Sequence, residues 1–152
     1  MFDRARPLIA CWATTINHIG KVGDGHKMKL INNFIAMGYG ALYAEALALA
    51  VKSGLSVQTF DKVLRGSRMD CGFYQTFFQY VIDGNRDSHK FTLVNALKDM
   101  RYVEAMTMSA GVSNPLGNAV KNYYTIAVNA GRAEEYVPMV WDAVAELNGV
   151  KR

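Results

Sequence analysis

GDGHKMKLINNFIAMGYGALYAEALALAV, residues 23–51, decides how the rest of this chain is read. Two glycines bracket Asp24, a residue able to cap the first orphan amides of a helix, and no proline follows, so the stretch predicts one long helix. Leu30, Ile31, Phe34, Ile35, Met37, Tyr39, Leu42, Tyr43, Leu47, Leu49 and Val51 fall on almost every side of it. That pattern belongs to a helix enclosed by other helices or by a second subunit. The polar exceptions are Lys29, Asn32 and Asn33. At about 100° per residue, positions three and four beyond Lys29 return to its side, so an ammonium and two amides share one patch near the helix start. Lys27 lacks that geometry. On spacing alone the patch reads as a solvated helix face.

Working outward, residues 53–55 break the pattern, and Ser56 is placed to cap a helix carrying Val57, Phe60, Val63 and Leu64. Cys71 to Ile82, with Phe73, Tyr74, Phe77, Phe78 and Tyr80, predicts a buried aromatic helix, more in keeping with core or subunit contact than with a ligand box. A further helix is expected from about His89 to Ala110, placing Phe91, Asn95, Lys98 and Tyr102 on one face. Asn114-Pro115 opens another, running to about Ala130, and a last one runs from Glu135 or Tyr136 to Leu147. The expected architecture is therefore an all-α bundle around one long central helix.

Gly23-Asp24-Gly25, Lys29, Asn32-Asn33 and Ala44-Glu45-Ala46 together resemble the signature that opens the C-terminal domain of the β-hydroxyacid dehydrogenases. The shared spacing is G-x-G-x-x-x-K-x-x-N-N. That family includes 3-hydroxyisobutyrate dehydrogenase, tartronate semialdehyde reductase (2-hydroxy-3-oxopropionate reductase) and the larger 6-phosphogluconate dehydrogenase. Phe91, Leu93, Lys98 and Asp99 resemble its second motif, F-x-L-x-x-x-x-K-D. The resemblance implies a fold like the 6-phosphogluconate dehydrogenase C-terminal domain and an NAD- or NADP-dependent interconversion of a small 3-hydroxy acid, of the 3-hydroxyisobutyrate or glycerate type, with its semialdehyde. It makes Lys29 the general acid/base and Asn33 a substrate-orienting residue, with Asn32 assisting or supporting packing. It puts Lys98 at the cofactor as a cation and Phe91 near the nicotinamide. The 6-phosphogluconate branch has a histidine where Asn32 stands and a much longer helical domain, so the resemblance is to the short-chain branch.

The chemistry asks for a group that takes the hydroxyl proton as hydride leaves the carbon, and returns it in the reductive direction. A lysine can serve where partial burial and neighbouring positive charge favour its neutral form, and a helix N-terminus adds potential in the same sense. Lys29 meets the positional demand. Asn33 can orient a hydroxyl or carboxylate without adding charge.

With 152 residues, 51% of them hydrophobic and 20% charged, the chain is one globular domain's worth. Glu45 near the middle of the long apolar stretch argues against a membrane span, and the absence of a signal-like N-terminus favours the cytoplasm. Cys11 and Cys71 are read as free thiols, His18, His26 and His89 are scattered, and no metal is implied. A net charge of +4 permits anionic ligands. The basic residues are dispersed, without a stripe that would suggest nucleic acid.

Residues 1–22 read as a helix over Arg4–Ala13 and a short strand over Thr14–Ile19. Under the resemblance they are the remnant of a preceding Rossmann domain, and 23–152 form the helical substrate-completing and dimerisation domain. No G-x-G-x-x-G follows a strand, so the nucleotide-binding turn is missing and the isolated chain is expected to be inactive. The all-round apolar helix and the aromatic segment predict a homodimer or higher oligomer. The competing expectation is a non-enzymatic helical dimerisation module of the same fold.

Overall fold

A computed structural model describes residues 1–151. Seven α-helices follow in order: α1 Phe2–Ile9, α2 Asp24–Lys52, α3 Val57–Leu64, α4 Gly72–Asp83, α5 Leu93–Ala110, α6 Pro115–Ala127 and α7 Val140–Leu147. The predicted all-α bundle is the observed architecture, with α2 packed against α3, α4, α5, α6 and α7.

The buried residues of α2 are Met37, Gly40, Ala41, Tyr43, Ala44, Leu47, Ala48 and Ala50, so only its latter part is enclosed. Met28, Ile31, Ile35, Tyr39, Leu42 and Leu49 are exposed, which corrects the expectation of a helix surrounded on almost every side. Small residues let neighbours approach closely. A Cβ on Gly40 would lie 2.7 Å from the Tyr124 hydroxyl, and that buried hydroxyl donates to the Met37 carbonyl at 3.0 Å. Tyr43 is ringed by Tyr74, Phe77 and Phe78, with centroids 5.4, 5.6 and 6.1 Å away. The aromatic segment is thus core, as its pattern predicts. By length and composition α2 could cross a bilayer, contrary to the reading from Glu45, but 44% of its most apolar window is buried inside the domain. Its hydrophobicity is shared between the buried latter part and the exposed apolar residues along its length.

Several boundaries depart from the sequence reading. Gly23, not Asp24, is the N-cap of α2; the Asp24 carboxylate instead accepts from the Lys21 amide at 2.9 Å and pairs with Lys27 at 3.0 Å. Ser56 does cap α3, accepting from the Thr59 amide at 3.0 Å. Residues 14–19 form no strand, because a strand needs a neighbour to fill its ladder and this arm has none. The arm folds on itself through a stack of Phe2 on His18, and none of α1 is buried. The helix expected from His89 begins at Leu93, so Phe91 precedes it. Its start is set from far along the chain: the Leu93 amide donates to Glu135 O at 2.7 Å and the Val94 amide to Ala133 O at 3.0 Å, while the Val137 amide donates to Phe91 O at 2.9 Å. Asn114-Pro115 opens α6 as predicted; the helix distorts after Ala127, and Gly131, at φ 82°, turns the chain toward a short 3-10 turn, Val137–Met139, ahead of α7.

Candidate active site

On α2, Lys29 and Asn33 lie one turn apart. From α5, Asp99 is brought against both. The Lys29 ammonium is ion-paired and hydrogen-bonded to Asp99 Oδ2, and Asn33 Nδ2 donates to the same oxygen at 2.6 Å. The other carboxylate oxygen, Oδ1, faces the Lys98 ammonium at 3.4 Å. One carboxylate therefore holds three side chains from two helices.

The carboxylate is deep and the amines are not. The Asp99 side chain is 2% exposed, against 54% for Lys29 and 47% for Lys98. A buried charge must be paired and hydrogen-bonded to be tolerated. Burial by itself pushes the Asp99 carboxyl upward, but hydrogen bonds from Lys29 and Asn33 and the charges of Lys29 and Lys98 outweigh it, so the group sits below the usual carboxylate range. Two ammoniums against one carboxylate leave surplus positive charge on an accessible face. An ammonium has three N–H donors and a primary amide two, so Lys29 and Asn33 can hold Asp99 and still present donors outward, with the Asn33 carbonyl as acceptor.

The positive neighbour that the sequence reading wanted beside Lys29 is present as Lys98, but the group in direct contact is a carboxylate. Lys29, Asn33 and Lys98 converge. Asn32 does not join them: it is exposed, and its side chain makes no hydrogen bond among the described residues. Phe91 is half-buried ahead of α5 and packs on the core; it is not on the helical face with Asn95, Lys98 and Tyr102 that was expected. Lys27, set aside on spacing, is paired with Asp24 instead. Asp99 was read only as a letter of a motif. Its signal was available, because an acid flanked by Ala96, Leu97, Met100 and Val103 on the buried face of α5 requires a partner. No cluster of His, Cys, Asp and Glu suited to a metal occurs among the described residues, and Cys11 and Cys71 are free thiols.

The site is an open face. A hollow of about 540 Å³ lined by Lys27, Ile31, Met106, Thr107, Ser109, Ala110 and Val112 is bordered by none of Lys29, Asn33, Lys98 and Asp99.

The sequence profile described as NAD-binding of NADP-dependent 3-hydroxyisobutyrate dehydrogenase matches residues 23–140. The chain is 28% identical over 144 residues to 3-sulfolactaldehyde reductase of Escherichia coli K12, covering 95% of this chain and 47% of that protein. Among solved structures it resembles 3-hydroxyisobutyrate dehydrogenase from Salmonella typhimurium, with a TM-score of 0.84, 25% identity, and 93% and 50% of the two chains covered. It also resembles Mycobacterium tuberculosis 3-hydroxyisobutyrate dehydrogenase with L-serine, with a TM-score of 0.82, 27% identity, and 94% and 51% covered. The chain spans about half the length of these relatives.

Proposed function

The chain belongs to the NADP-dependent 3-hydroxyisobutyrate dehydrogenase family, and from that premise we propose that it is the helical part of an NAD(P)-dependent oxidoreductase. Its reaction interconverts a small 3-hydroxy acid, of the 3-hydroxyisobutyrate or glycerate type, and the corresponding semialdehyde. The observation that carries this reading is the convergence of Lys29, Asn33 and Lys98 on the buried Asp99.

The residues suit an anionic cofactor and an anionic substrate, since both amine tips are reachable and only one carboxylate offsets them. When bound, the nicotinamide supplies the site that accepts or returns hydride. Lys29 moves the proton at the substrate hydroxyl oxygen: as the neutral amine it takes it in oxidation, and as the ammonium it donates it in reduction. Asp99 holds that amine, and Asn33 with it, against α5 so that both approach from fixed directions. Asn33 orients the hydroxyl or carboxylate of the substrate, and Lys98 supplies the cation on the cofactor side, with Phe91, ahead of α5, read as packing near the nicotinamide. The phosphate-binding turn and the second wall of this open face come, in this reading, from another domain, so these 152 residues alone do not turn over. The exposed residues Met28, Ile31, Ile35, Tyr39, Leu42 and Leu49 share one face of α2, which supports self-association as well.

The second reading, a non-enzymatic assembly module, is separated from the first by Lys29→Ala in the full-length protein. Loss of the acid/base group should lower the hydride-transfer rate by about 10²- to 10⁴-fold at saturating substrate. An unchanged rate would leave only the assembly role.

A further inference from the structure

Helix α5 begins in an unusual way. Thr92 is its N-cap, a position where a threonine hydroxyl ordinarily accepts from a backbone amide of the first turn. Here it caps no amide, and the first two helical N–H groups, those of Leu93 and Val94, are taken by the carbonyls of Glu135 and Ala133 at 2.7 and 3.0 Å. The hydroxyl is left for another use: Thr92 Oγ1 accepts from Asn95 Nδ2 at 2.7 Å. The Lys98 ammonium, a donor only, requires the amide's oxygen, and Asn95 Oδ1 accepts from Lys98 Nζ at 3.3 Å while the threonine hydroxyl accepts from the other end. Lys98 is thus held between two acceptors, Asn95 Oδ1 and Asp99 Oδ1, the second at 3.4 Å.

We propose that Asn95, oriented by the Thr92 hydroxyl, is a positioning residue that holds the Lys98 ammonium out toward the cofactor. This rests on the reading of Lys98 as the cofactor-side cation. A lysine side chain has four rotatable bonds and a large entropy to lose on being held. Without Asn95, its only anchor is the carboxylate it shares with Lys29, and the ammonium can swing toward Asp99. With Asn95, the direction is set before the cofactor arrives, and less freedom is lost on binding. A local helix rule is broken beside the site, which is where such departures carry function.

The test is made in the full-length enzyme, with NADPH and NADH titrated separately by fluorescence and kcat and KM measured for each. Lys98→Met should weaken binding of the preferred cofactor. Asn95→Leu should raise its Kd and KM by about three- to tenfold, the gain expected from immobilising one long side chain, with kcat within about twofold. Thr92→Val should act in the same direction and less. Asn95→Gln should keep more of the binding than Asn95→Leu, because it retains a neutral carbonyl acceptor for the ammonium; Asn95→Asp should not, since its negative charge offsets the cation that receives an anionic cofactor. If Lys98→Met weakens binding and Asn95→Leu does not, the role of Asn95 is overturned and the role of Lys98 stands. If Asn95→Gln binds no better than Asn95→Leu while melting temperatures are unchanged, the role of Asn95 is overturned as well. If Lys98→Met leaves both cofactors bound as before, the cofactor-side reading of Lys98 falls and this proposal falls with it.

Discussion

The two halves of α2 make different demands on the same helix. From Met37 to Ala50 small and bulky residues alternate in a buried face, with Leu47 and Ala44 wholly enclosed and Gly40 pressed under Tyr124. From Asp24 to Ala36 no residue is buried, and the polar side chains that hold Asp99 sit beside apolar ones open to solvent. The first half in sequence carries the side chains that meet Asp99 and leaves apolar residues uncovered, while the second carries the fold. Stability should therefore be concentrated in one and activity in the other.

The sharpest comparison is between two aliphatic truncations. Leu47→Ala, at a fully buried position, should cost about 2–5 kcal/mol in urea unfolding. Ile35→Ala, 48% exposed, should stay within about 0.5 kcal/mol when the domain is dilute. A large cost at Ile35 that grows with protein concentration would show that the open half is covered by a second copy. Next in size is a pair of glycines. Gly40→Ala should lower stability by about 1–3 kcal/mol, because the added methyl meets a hydroxyl already bonded to Met37 O. Gly38→Ala, whose nearest neighbour is 4.0 Å away, should be neutral or stabilising by up to about 1 kcal/mol. The smallest effect is the pH response of Asp99. Its carboxyl is held below the unfolded range, so it adds stability above about pH 4, lost as pH falls through the folded value. Asp99→Asn should be less stable than wild type at neutral pH, and the gap should close as unfolding is followed from about pH 5 toward pH 2.

What could be read in the sequence follows the same division. Ser56, Asn114-Pro115 and the aromatic segment were legible because each acts locally, through a cap, a fixed φ or a periodic buried face. Lys29, Asn33 and Lys98 were legible through two motifs and helical spacing. The start of α5 was not, because it is fixed by carbonyls of Ala133 and Glu135 and no local pattern announces that. The strand over residues 14–19 failed for the opposite reason: alternation was present and the partner was not. Asp99 fell between the two. Its burial is a property of the α5 face, while its role appears only when α2 is laid beside it.

The splice between residues 133–137 and the front of α5 has a consequence for how the site can be damaged. Slipping α5 by one residue would rotate its side chains by about 100°, carrying the shared carboxylate away from both amines. The register that prevents this is written in peptide groups, not side chains, so scanning with alanine would pass over it in silence. Shortening the segment after Gly131, or a proline at Leu93 or Val94, would misalign the chemistry while leaving every one of its residues in place.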